Sequence, residues 1–215
     1  MRKSVVLLVV ASLAFSTIGF QCEKEYPKPE PVYSFTEKLT LTPYKKVYAV
    51  NDTIWIQFQT TDRKLFDRLS GTHVATDTTT LAPTFYYRQR HPVETARRTL
   101  VEVKASGVAG LALDYFRPYI LETKFRIECG VGTYFFKVGF VPKTIGIYSI
   151  EPHGYVGLCP NKRKQLPTTF NWTFELADCN KDIFQSIPAA SILGREDGYT
   201  DAHVDRKEIF VFKVE

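Results

Sequence analysis

In the stretch Phe170-Asn171-Trp172-Thr173-Phe174-Glu175-Leu176 every apolar side chain holds an even position and every polar one an odd position. Neighbouring side chains leave opposite faces of an extended chain, so this period of two describes a strand with one face in a core and one in water. A slip of one residue would bury Glu175 without a partner, which fixes the faces. The same pattern recurs outward from this point. Ile54, Ile56 and Phe58 alternate with Trp55, Gln57 and Gln59 after an Asn51-Asp52 turn, and Val101, Val103 and Ala105 alternate with Glu102 and Lys104. Phe125, Ile127 and Cys129 alternate with Lys124, Arg126 and Glu128, and the final segment, 207–215, is apolar on both sides at its start. Gly130-Val131-Gly132, Pro142-Lys143 and Pro152-His153-Gly154 punctuate the middle into short strands over 133–141 and 145–151.

Many short alternating strands predict an all-β domain over residues 33–215, an antiparallel β-sandwich with at most one or two short helices. The 16 Phe and 12 Tyr against a single Met lean the same way. One helix is expected over 181–187, with Asp178 or Asn180 as N-cap and Pro188 as its stop. Segments 62–82 and 189–206 read as irregular polar loops. The stretch 48–58 resembles the openings of immunoglobulin-like extracellular modules, which implies the same sandwich.

The N-terminus carries Met1-Arg2-Lys3, an apolar run from Val5 to Phe20, and small residues near its end. That is the three-part pattern of a secretory signal, predicted over residues 1–21. Cys22 closes the run and is followed by Glu23-Lys24-Glu25-Tyr26-Pro27-Lys28-Pro29-Glu30-Pro31. This arrangement resembles the lipoproteins of the bacterial phylum Bacteroidota. The resemblance implies lipidation at Cys22, membrane attachment through that lipid, and routing to the outer membrane and cell surface. A cut after Ala14-Phe15-Ser16 is the alternative, with Cys22 left unmodified in a periplasmic or secreted protein. The alternating prolines of 22–32 disfavour helix and predict a semi-rigid polyproline-II tether of about 3.1 Å per residue.

Export favours disulfides. Cys159 and Cys179 each end a predicted strand at a turn, so their pairing is expected, with Cys129 as a buried thiol; a Cys129–Cys159 bridge stays open because spacing does not fix connectivity. A zinc site from these cysteines and His153 lacks the usual ligand spacing, and no metal or cofactor is expected. Asp201, His203 and Asp205 would share a face of a strand and could hold a divalent ion, or form a plain polar loop.

The net charge of +5 is dispersed, which argues against a nucleic-acid partner, and Lys162-Arg163-Lys164 reads as a loop tip. No G-x-S-x-G, H-E-x-x-H or C-x-x-C motif is present, and His73, His91, His153 and His203 are scattered. The expected function is therefore a non-enzymatic binding or structural domain of the bacterial envelope, with a glycan or an envelope protein as partner. Two rivals stand beside it. Trp55, on the outer face beside two amides, would suit a carbohydrate-binding module, a reading Tyr86 and Tyr87 share; a hydrolase would need a cleft with clustered carboxylates or histidine. Asp77-Thr78-Thr79 resembles the O-glycosylation acceptor of Bacteroidota, which implies modification of Thr78.

Overall fold

A computed structural model describes residues 32–91, 101–117, 119–127, 129, 132–159, 168–189 and 199–215. The signal segment, Cys22, nearly all of the tether and Lys162-Arg163-Lys164 lie outside the described residues. The domain is an all-β sandwich of two sheets. The first runs β5 (Thr72–Ala75), β4 (Lys64–Asp67), β1 (Tyr33–Thr42), β3 (Ile54–Gln59), β10 (Phe135–Pro142), β7 (Val101–Ser106), with β12 (Thr168–Phe174) also paired to β1. The second runs β2 (Val47–Tyr48), β13 (Phe210–Val214), β11 (Gly146–Leu158), β6 (Thr79–His91), β9 (Ile120–Ile127), β8 (Val108–Arg117). Two pairings are parallel: β1 with β12 from Tyr33↔Thr168 to Leu39↔Phe174, and β13 with β2. The sandwich is therefore mixed rather than purely antiparallel.

Aromatic rings close the core between the sheets. Phe136 and Phe140 of β10 meet Phe85 of β6 at 5.9 Å between centroids, and Phe136 meets Phe125 of β9 at 5.1 Å. The even positions 170, 172 and 174 of β12 behave as their spacing predicts, whereas Leu176, past the end of the strand, is only half-buried. Phe170, Trp172 and Phe174 are buried, while Asn171 is exposed and Thr173 half-exposed. In β3, Ile54, Ile56 and Phe58 are buried, with Trp55 and Gln57 half-exposed opposite them.

Three expectations about secondary structure are corrected. Segment 62–82 holds the β4–β5 hairpin and the start of β6 rather than a loop. Leu65 is buried, and the Asp67 carboxylate accepts from the backbone N–H groups of Ser34 and Ser70, which stitches the turn to β1. Pro152-His153-Gly154 is not a turn, because β11 runs through it, paired to Phe85, Thr84 and Pro83 of β6. Proline is tolerated there because β13 pairs with β11 only as far as Ile150, so no ladder bond is lost on that side. Asp201-Ala202-His203-Val204-Asp205 is helical, α2 (Asp201–Asp205), following α1 (Lys181–Ser186). Helical spacing puts Asp201 and Asp205 on one face and turns His203 away. Asp205 accepts from Lys181 and Asp201 from Gln185 instead of meeting around an ion. Between the helices, residues 190–198 lie outside the described ones.

The disulfide joins Cys129 to Cys159, with Cα atoms 5.9 Å apart, and Cys179 is a free, buried thiol. The expected Cys159–Cys179 pairing fails for a topological reason. β9 and β11 both flank β6 and both end where β6 begins: Thr80 Oγ1 donates to the Ile127 carbonyl, and Leu158 pairs with Thr79. Cys129 and Cys159 follow those two ends, so they meet. Cys179 sits beside β13, where its carbonyl accepts from Val211 N. Burial pushes its thiol up to about 12. Sulfurs bonded to each other cannot serve as the zinc ligands considered above.

Candidate functional site

The outer face of the second sheet is unusual. In β11, Tyr148 and Ile150 point into the core, so Ser149, Glu151, His153 and Tyr155 point away from it. The even residues of β6, among them Tyr86, Arg88 and Arg90, share that face, as does Glu122 of β9. A solvent-side face should be wet, yet Arg90, Ser149 and Glu151 are each fully buried. Arg90 donates through Nε to Ser149 Oγ at 2.8 Å and through Nη2 to Glu151 Oε1 at 2.5 Å. Ser149 Oγ donates to the same carboxylate oxygen at 2.6 Å, and Arg88 Nε pairs with Glu151 Oε2 at 2.7 Å. Glu122 is held in turn by Tyr86 at 2.8 Å and Lys124 at 2.5 Å.

Tyr199 covers this network. Its ring stands 5.4 Å from the Arg90 guanidinium carbon, and its hydroxyl is 3.0 Å from His153 Nε2. Tyr86 meets the His153 ring edge-on at 5.3 Å, and His203 meets Tyr199 at 5.1 Å. Burial lowers the pKa of His153, with the Glu151 carboxylate opposing and Arg88 adding to the effect. Burial also raises the Tyr199 phenol well above its ordinary range.

Two clefts adjoin across that pair. One, of about 420 Å³, lies where β12 of the first sheet comes alongside β11, and its lining includes His153, Phe170, Asn171, Trp172, Tyr199 and His203. The other, of about 400 Å³, is lined in part by Thr84, Tyr86, Arg88, Glu122, His153 and Tyr155. Gly154 makes the first possible: a Cβ there would stand 2.6 Å from Trp172 Nε1, so only glycine lets the indole pack against β11. Trp172 is 2% exposed, and its Nε1 has no hydrogen-bond partner among the described residues.

His153 and His203, scattered in sequence, thus line one cleft; β11's passage through Pro152 and the helical turn at 201–205 bring them together. Tyr86 joins them, whereas Tyr87 is buried in the core. Trp55 lies elsewhere, on the outer face of the first sheet. Its ring packs where Gly139 has no side chain, with Lys137 Nζ 4.6 Å from the ring centroid. Thr78 is half-exposed in the turn between β5 and β6, and its carbonyl accepts from Cys159 N. Among the described residues no cluster of three or more His, Cys, Asp or Glu side chains could hold a metal ion. Comparison with family models, curated proteins and solved structures finds no match to the chain.

Proposed function

We propose that the chain is an exported, lipid-anchored binding domain of a bacterial envelope whose ligand-contacting surface is the outer face of the second sheet. One observation carries this reading: a fully buried Arg90–Ser149–Glu151 network lies on the side of a sheet that faces away from the core. A buried ion pair gains little stability over apolar packing of the same shape, so its presence favours a role in fixing geometry. Here it fixes the positions of Tyr199, His153 and Arg88 around the two clefts. The carboxylates beside the clefts are engaged, Glu151 by two arginines and a serine, Glu122 by a tyrosine and a lysine, and Glu208 by Arg206. That favours binding over hydrolysis, which needs a carboxyl group able to exchange a proton with substrate. Attachment through Cys22 and O-glycosylation of Thr78 belong to the same proposal and rest on the sequence resemblance.

Co-sedimentation of the purified protein with isolated cell-envelope material tests the proposal. The wild type should sediment, and the exposed-residue variants Tyr155→Ala and Asn171→Ala should stay in the supernatant. Trp55→Ala should behave as wild type. Loss of binding in Trp55→Ala alone would move the surface to the first sheet and refute the proposal.

A further inference from the structure

One side of the sandwich is left open. β7 closes the first sheet: β10 pairs with one of its edges, and among the described residues no strand flanks the other. A single residue, Gly107, carries the chain from Ser106 at the end of β7 to Val108 at the start of β8, the last strand of the second sheet. The closing strands of the two sheets therefore lie on the same side. Leu111 and Leu113 of β8 are 41% and 47% exposed, and Val103, Ala105 and Val108 are half-exposed. This side thus combines an open strand edge with apolar surface, the two features that an added strand covers.

β7 is the better edge for pairing. β8 shifts its register with β9 between Ala109 and Ala112 and again between Tyr115 and Arg117, and bulges of that kind blunt an edge. β7 has no proline, and its register with β10 runs without a shift from Lys137↔Ser106 to Pro142↔Val101. Its charges select the partner. Glu102 and Lys104 are exposed on the outer face, while Val103 between them packs against the core. Edge charges of one sign would repel a second copy, but these two are of opposite sign. In an antiparallel pair of β7 strands about a two-fold axis at Val103, Glu102 stands opposite the second copy's Lys104 and Lys104 opposite its Glu102. Val103 then meets its own counterpart. Moving the axis to Glu102 or to Lys104 sets like charges against each other, and a slip of one residue turns one copy over. Glu102 accepts from Lys143 at 2.9 Å yet keeps a side chain 52% exposed, so it can take a second cation. We infer that β7 pairs in this register with β7 of a second copy of the chain, joining two sandwiches edge to edge. This contact is separate from the ligand-contacting surface proposed above. The axis is normal to the sheet, so that surface stays open in both copies and points to the same side.

Sedimentation velocity of the purified protein tests the contact, with Cys22→Ser throughout so that neither an acyl chain nor a disulfide at that position can join copies. This parent protein should show a reversible monomer–dimer equilibrium. Glu102→Lys and Lys104→Glu, each at an exposed position and so expected to fold, set like charges opposite each other. Each should weaken the dimer by about tenfold or more. An equimolar mixture of the two variants restores both opposite-sign pairs across the axis and should dimerise about tenfold more tightly than either variant alone. A parent that stays monomeric at every concentration, a dimer that either variant leaves intact, or a mixture no tighter than its components would each overturn the inference.

Discussion

Glu151 sets the energetics of the outer face. Replacing it with leucine removes the carboxylate bonded to the fully buried Arg90 guanidinium, and the expected cost is about 3–5 kcal/mol in denaturant melts. The double variant Arg90→Met/Glu151→Leu removes both charges and should be less destabilised than Glu151→Leu alone. A double variant at least as unstable as the single would show that the pair is not the unit described. His153 adds a pH dependence. Burial holds its folded-state pKa below the unfolded value of about 6.5, so the unfolded chain binds the proton more readily. Its contribution to stability is present above that value and lost as the pH falls into the acid range. The melting temperature should drop on acidification from pH 7 to 5, and His153→Gln should flatten that slope. The groups facing the ring are Glu151 and Arg88, Tyr86, Glu122 and Tyr199; Glu151 is two residues away in the chain, while the other four come from distant segments.

Elements show why some of this was legible and some not. The faces of β12 follow from parity alone, since a single residue of slip would bury Glu175. Phe174→Ala should therefore cost about 3–5 kcal/mol, whereas Thr173→Ala should stay within about 0.5 kcal/mol. Urea melts in which Thr173→Ala proved the more damaging would refute the assignment of faces. The helix at 181–186 was legible from its spacing and stop, though its cap is divided. Asn180 spends its amide on the Val211 carbonyl, and Asp178 accepts from Lys181 N. The passage of β11 through Pro152 and Gly154 was not legible, because local punctuation argues for a turn there. Only the early departure of β13 and the arrival of Trp172 explain an extended backbone. The proposed binding face depends on that passage, so it stayed hidden while the fold class did not.

Across the whole molecule, the disulfide ties the ends of β9 and β11, its cysteines 30 positions apart in sequence. By chain entropy such a closure contributes about 3–4 kcal/mol. The Cys129→Ala/Cys159→Ala double variant should lose about that much, and peptide mapping of the oxidised protein should recover the Cys129–Cys159 linkage. Recovery of a Cys159–Cys179 peptide would contradict the topology. The first strand has a different significance. Over Tyr33–Leu39 it is bonded in parallel to β12, and it also pairs with β4 at Phe35 and with β3 at Thr40–Thr42. Tension entering the domain at Val32 would run along the axis of β1, across the direction of those bonds. They would bear the load together, in shear, rather than opening one after another like a zipper. A domain held at its N-terminal side and pulled elsewhere would thus meet the pull with this strand in shear.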